Sequence, residues 1–175
     1  PSFKVIDRMF VMLNQQAIND RNVNATLALL KEAHLWQQIH TLYINQVVPA
    51  AILQGPKAFD EVYAKLRELQ THSGSIPDWS SKGEVFLRFL EVQKRIRDGG
   101  ASLVLHSITS LQPDVDRWFQ DLTLQWECSI SLAGSGRRKF PTLLFAVQYM
   151  RTTLSDASVQ ELMRPTPFRV RVIGA

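Results

Sequence analysis

LTLQWECSISL, running from Leu122 to Leu132, carries the clearest periodic signal in the chain. Leu122, Leu124, Trp126, Cys128, Ile130 and Leu132 are apolar, and Thr123, Gln125, Glu127, Ser129 and Ser131 between them are polar. Successive side chains of a strand point to opposite faces, so this alternation predicts a half-buried β-strand. The same reading places Cys128 on the apolar face as a buried, inert thiol. It is the only cysteine of the chain, which excludes an internal disulfide.

Downstream, Ala133 to Pro141 (AGSGRRKFP) reads as a flexible basic loop. Thr142 to Met150 (TLLFAVQYM) is apolar on both faces and predicts a buried element, helix or strand. Ser155 to Met163 predicts a short helix, closed by Arg164-Pro165-Thr166-Pro167. FRVRVI, Phe168 to Ile173, alternates again and predicts a second strand, with Phe168, Val170 and Val172 inward and Arg169 and Arg171 outward. Upstream, Pro113 to Asp121 starts like a helix, with Asp114 and Asp116 near the positive end of its dipole. Ala101 to Leu111 lacks a clean period and fits either type.

The first hundred residues read as helices. Val5, Ile6, Met9, Phe10, Leu13 and Ala17 give a helical stripe over 3–19. Asn24 suits an N-cap for a helix over 25–33, with Leu27, Leu29 and Leu30 as its core. A third helix covers 35–47, with Trp36, Ile39, Leu42, Tyr43 and Val47 inward, and Pro49 is expected to end or kink it. Phe59, Val62, Tyr63, Leu66 and Leu69 mark a fourth helix over 58–70, followed by a loop, THSGSIPDW, to Trp79. Ser81-Lys82-Gly83-Glu84 has capping-box spacing for a fifth helix, which carries Lys94, Arg95 and Arg97 in its last turn and stops at Gly99-Gly100.

The 175 residues, 45% hydrophobic and 21% charged, suit one globular domain, 1–175, with a helical layer over 1–100 and a mixed layer over 101–175. The expected fold is α+β: an N-terminal bundle of four to five helices packed on a small, mostly antiparallel C-terminal sheet. No apolar run is long enough to span a bilayer and no signal peptide is visible, so an intracellular, cytoplasmic protein is expected. A net charge of +4 permits an anionic partner without demanding one.

Chemical motifs are sparse. His34, His40, His72 and His106 are dispersed and do not pair with one another or with Cys128 at ligand spacing, so no metal or cofactor is expected. Gly134-Ser135-Gly136-Arg137-Arg138-Lys139 lacks P-loop spacing, and GxG without a third glycine is no dinucleotide fingerprint. No nucleophile elbow occurs. The leading expectation is a non-catalytic protein–protein interaction or assembly module, part of a larger protein or complex, whose partner is another protein. The alternative is an anion-binding module for nucleic acid or acidic membrane, using Arg137, Arg138 and Lys139 with Phe140 to stack on a base or lipid. Trp79, in a loop, is a candidate partner anchor, although such a residue more often folds back as a lid on the core. An enzyme with a dispersed site is the third possibility.

Overall fold

A computed structural model describes residues 23–99, 104–133 and 142–163. The chain divides into two compact units, 1–84 and 85–175.

In the first unit, α1 (Val23–Glu32) buries Thr26, Leu27 and Leu30. Asn24 lies inside this helix rather than at its cap, and Leu29 faces out at 54% exposure. Two backbone bonds close α1: Leu35 N–H donates to the Leu30 carbonyl and His34 N–H to that of Lys31. This is the Schellman arrangement, and His34 takes the left-handed backbone (φ 54) that the position requires.

After α2 (Trp36–Leu42) comes one π-helical turn, Tyr43–Val47, and then α3 (Val48–Gln54) without a break. Pro49 was expected to end or kink this helix, yet it sits buried in the first turn of α3. The wide turn just before it supplies the reason. Val48 N–H reaches back five residues to the Tyr43 carbonyl, which displaces the carbonyls that a proline ring would otherwise strike. Gly55 (φ 104) then turns the chain, and a 3₁₀ turn, Pro56–Ala58, leads into α4 (Phe59–Gln70). Phe59, Val62, Leu66 and Leu69 form its buried stripe. A 3₁₀ turn at Ser73–Ser75 begins the segment leading to α5 (Gly83–Arg97).

The predicted capping box does not form at the start of α5. The Ser81 hydroxyl donates to the Asp78 carbonyl (3.2 Å), while Glu84 N–H donates to the Trp79 carbonyl (2.9 Å). The Trp79 carbonyl has taken the role assigned to the Ser81 hydroxyl. At the far end Gly99 (φ 78) provides the left-handed stop.

The second unit contains most of α5 together with α6 (Val104–Ala133) and α7 (Thr142–Met163). Val104, Ile108, Leu111, Val115 and Trp118 recur at four- and three-residue steps along α6 and are all buried. α5 runs antiparallel to α6: Phe86 meets Trp118 edge-on at 4.8 Å, Arg88 Nη1 pairs with Asp114 Oδ2 at 2.7 Å, and Arg95 Nη1 donates to Ser107 Oγ at 3.2 Å. α7 returns antiparallel along α6, with Arg151 Nε 2.9 Å from Asp116 Oδ1 and its guanidinium over the Phe119 ring. Asp114 and Asp116 therefore lie mid-helix, each paired to a different neighbouring helix, and not at the helix start predicted for them. Both pairs are partly exposed, so each contributes at most about 1 kcal/mol.

These helices correct the α+β expectation. No strand occurs among the described residues, and 122–132 is the distal part of α6. An alternating pattern contains a helical stripe within it, because every second pair of apolar residues is four apart. Leu122 and Trp126 continue the inward face and are half-buried, whereas Leu124 and Cys128 fall on the opposite side and are exposed. Cys128 is thus not the buried thiol expected. Pro113 does not begin a new helix either. It faces solvent, where water can take the carbonyl it leaves unpaired, and the buried residues at 111 and 115 keep their spacing across it. The ambiguous segments 104–111 and 142–150 are both helical. The predicted helix over 3–19 and strand over 168–173 lie outside the described residues.

Truncation separates the two readings of α6. Leu111→Ala, at a fully buried position, is expected to cost about 2–5 kcal/mol. Leu124→Ala is expected to change stability by no more than about 0.5 kcal/mol. Urea unfolding of both variants is the check, since a half-buried strand would make Leu124 as costly as Leu111.

Candidate functional site

Two places draw chemical groups together, one in each unit. In the first, the segment between α4 and α5 lies over α2 through side chains. His72 stacks flat on Trp36, with ring centroids 3.5 Å apart and planes 6° from parallel. Ile76 is buried, and Trp79 is 7% exposed with its indole tilted against the His40 imidazole at 5.7 Å. Trp79 therefore covers core residues of its own unit in this structure. A Cβ on Gly83 would fall onto the Trp79 ring and within 2.8 Å of His40 Nε2, so the start of α5 approaches this closely only as glycine.

Around these rings is a small polar group. Asp78 Oδ1 accepts from Gln37 Nε2 at 3.2 Å and lies 3.3 Å from His40 Nδ1, and Oδ2 pairs with Lys82 Nζ at 3.2 Å. The His40 side chain is 0% exposed. Neither ring nitrogen makes a hydrogen bond, since the short Nδ1 approach to Asp78 is not aligned for one, and the buried Gln37 Oε1 is likewise without a partner. Burial, with a smaller contribution from the Lys82 ammonium, holds the His40 pKa below its ordinary 6.5 against the pull of Asp78. For Asp78, burial pushes upward, but the Gln37 hydrogen bond and the nearby positive groups outweigh it and hold the carboxyl below 3.8. Nearby, burial and the Glu68 carboxylate push the Tyr43 phenol up to about 12.

The second place is the end of the α6–α7 hairpin that adjoins residues 134–141. Leu124 (59%) and Phe145 (51%) are exposed there, as are Tyr149 and Cys128. Leu124 and Cys128 are four residues apart on α6, and Phe145 and Tyr149 four apart on α7, so each pair shares a helix face. Across 122–133 and 142–150 the sequence has a single charged residue, Glu127. Water-facing helix surfaces normally carry many charges. This one does not.

No family model, curated protein or solved structure matches the chain.

Arg137, Arg138, Lys139 and Phe140 lie outside the described residues, and Trp79 belongs to the first unit. Among the described residues no cluster of His, Cys, Asp and Glu is placed to hold a metal ion, and no helix is long and apolar enough to cross a membrane. Sequence reasoning missed both places described here. The apolar hairpin end was hidden by the strand reading, which turned Leu124 and Cys128 inward. The His40 group joins residues about forty positions apart, and only the adjacency of Asp78, Trp79, Lys82 and Gly83 hinted at it.

Gly83→Ala is expected to destabilise the protein by about 1–3 kcal/mol through overpacking against Trp79 and His40. Gly74→Ala, where a Cβ meets nothing within 4 Å, should be close to neutral. Denaturant melts of the two variants test this.

Proposed function

We propose that this chain is a non-catalytic protein interaction or assembly module whose protein partner docks on the connection end of the α6–α7 hairpin. The observation that carries the reading is the exposure of Leu124 and Cys128 on α6 and of Phe145 and Tyr149 on α7, in stretches with a single charged residue. Interface centres are depleted of charged residues and enriched in aromatic ones, and exposed apolar patches of this kind mark association surfaces. Arg137, Arg138 and Lys139 fall in the connecting sequence between the two helices, which suits a partner with an acidic rim around an apolar centre.

Light scattering across a concentration series is the test, with Leu124→Glu/Phe145→Glu as the comparison. Both positions are exposed, so the double variant should keep its helical circular dichroism. Mass that rises with concentration in the natural chain and not in the variant is expected of an assembly surface. Equal, concentration-independent masses would count against it. Binding to nucleic acid that weakens steeply with salt, and is lost on reversing the charges of Arg137, Arg138 and Lys139, would move the function to anion binding.

A further inference from the structure

We infer that the segment 76–82 is an acid-released latch, closed over α2 while His40 is neutral and opened when the buried imidazole takes a proton. The segment is attached to α2 by side chains. Its backbone hydrogen bonds are local: Trp79 N–H to the Ile76 carbonyl, Lys82 N–H and Glu84 N–H to that of Trp79. What holds it to α2 are the side chains of Trp79 and Asp78, which meet His40 and Gln37. A segment tied down by a few side chains opens at lower free energy than the helices beneath it.

His40 is placed to govern that opening. Neutral imidazole needs one donor and one acceptor satisfied, whereas the protonated ring carries two N–H groups and a full charge. The Nδ1 proton has Asp78 Oδ1 at 3.3 Å. Nε2 faces the Trp79 ring and Gly83, where no acceptor is found. A closed latch thus leaves a buried cation with no acceptor in line with either N–H, which is costly, and moving the segment aside lets water reach the ring. Two charged groups act on the ring, both from the segment itself: Asp78 favours the proton and Lys82 opposes it. Gln37, from the same helix as His40, occupies the Asp78 oxygen that a protonated His40 would use.

His40 binds a proton more weakly in the closed state than its ordinary 6.5, so the open state takes up the proton first as pH falls. The stability of the closed form that depends on His40 is complete above 6.5 and is lost below it, down to the lowered value of the closed state. Asp78 has its folded value depressed below 3.8, so its own contribution is lost only in stronger acid. The two effects are separated in pH.

The full chain labelled with 5-fluorotryptophan tests this by ¹⁹F NMR between about pH 7.5 and about pH 4.5. Trp79→Phe assigns the Trp79 resonance. The expected result is a move of that resonance toward its solvent-exposed position while Trp118 stays unchanged. Lys82→Met, at a partly exposed site, should lower the midpoint of opening, because the closed state then tolerates the proton better, and Asp78→Asn should raise it. A Trp79 resonance that stays fixed through this range overturns the latch. So does movement of all four tryptophans together, which is global unfolding, or a midpoint that neither variant shifts.

Discussion

Val104, Ile108, Leu111, Val115 and Trp118 must be buried together, and the arrangement of residues 85–163 depends on that constraint. One seam on a 30-residue helix dictates where both neighbours lie. α5 lies along it through Phe86, and α7 returns along it through a buried stripe that includes Val147, Met150 and Leu154. The ion pairs Arg88–Asp114 and Arg151–Asp116 flank the seam and set register more than they add stability. The seam also accounts for the continuity of α6 through Pro113. Burying five large side chains in one register far outweighs about 3 kcal/mol for an interior proline.

The same constraint creates the surface on which the proposed function rests. Once α6 is committed to its register at Val104, every later residue has its direction fixed by the 3.6-residue period. Leu122 and Trp126 are carried inward, and Leu124 and Cys128 outward. A helix cannot hide all four. The exposed apolar end of the hairpin is a consequence of that geometry, and its near absence of charge is the ground for the docking surface proposed above.

In residues 23–84 the organising features are of a different kind. A π-helical turn lets one long helix pass Pro49, and a glycine lets α5 start against two aromatic rings. The segment between α4 and α5 is fastened by Trp36–His72 stacking, the Trp79 cover and the Asp78 pairs. That fastening leaves a fully buried histidine with unpaired nitrogens, a cost that a purely structural packing would avoid with an apolar residue.

By itself the sequence determined the helices whose local signals agree with one another: the stripe of Phe59, Val62, Leu66 and Leu69, the positive-φ stop at Gly99, and the inward run of Ile39, Leu42 and Tyr43. In each, periodicity and end signals point to one answer. Tertiary structure alone decided 122–132, because an alternating stretch satisfies a strand locally and a helix once it is joined to an upstream seam. It also decided the role of Ser81, whose place as acceptor for Glu84 N–H went to the Trp79 carbonyl, and it brought His40 to Asp78, Trp79 and Gly83. The physical reason is common to these cases. Local pattern fixes which residues prefer burial, but the direction of a side chain depends on the register of the whole element, and that register is set by what the element packs against.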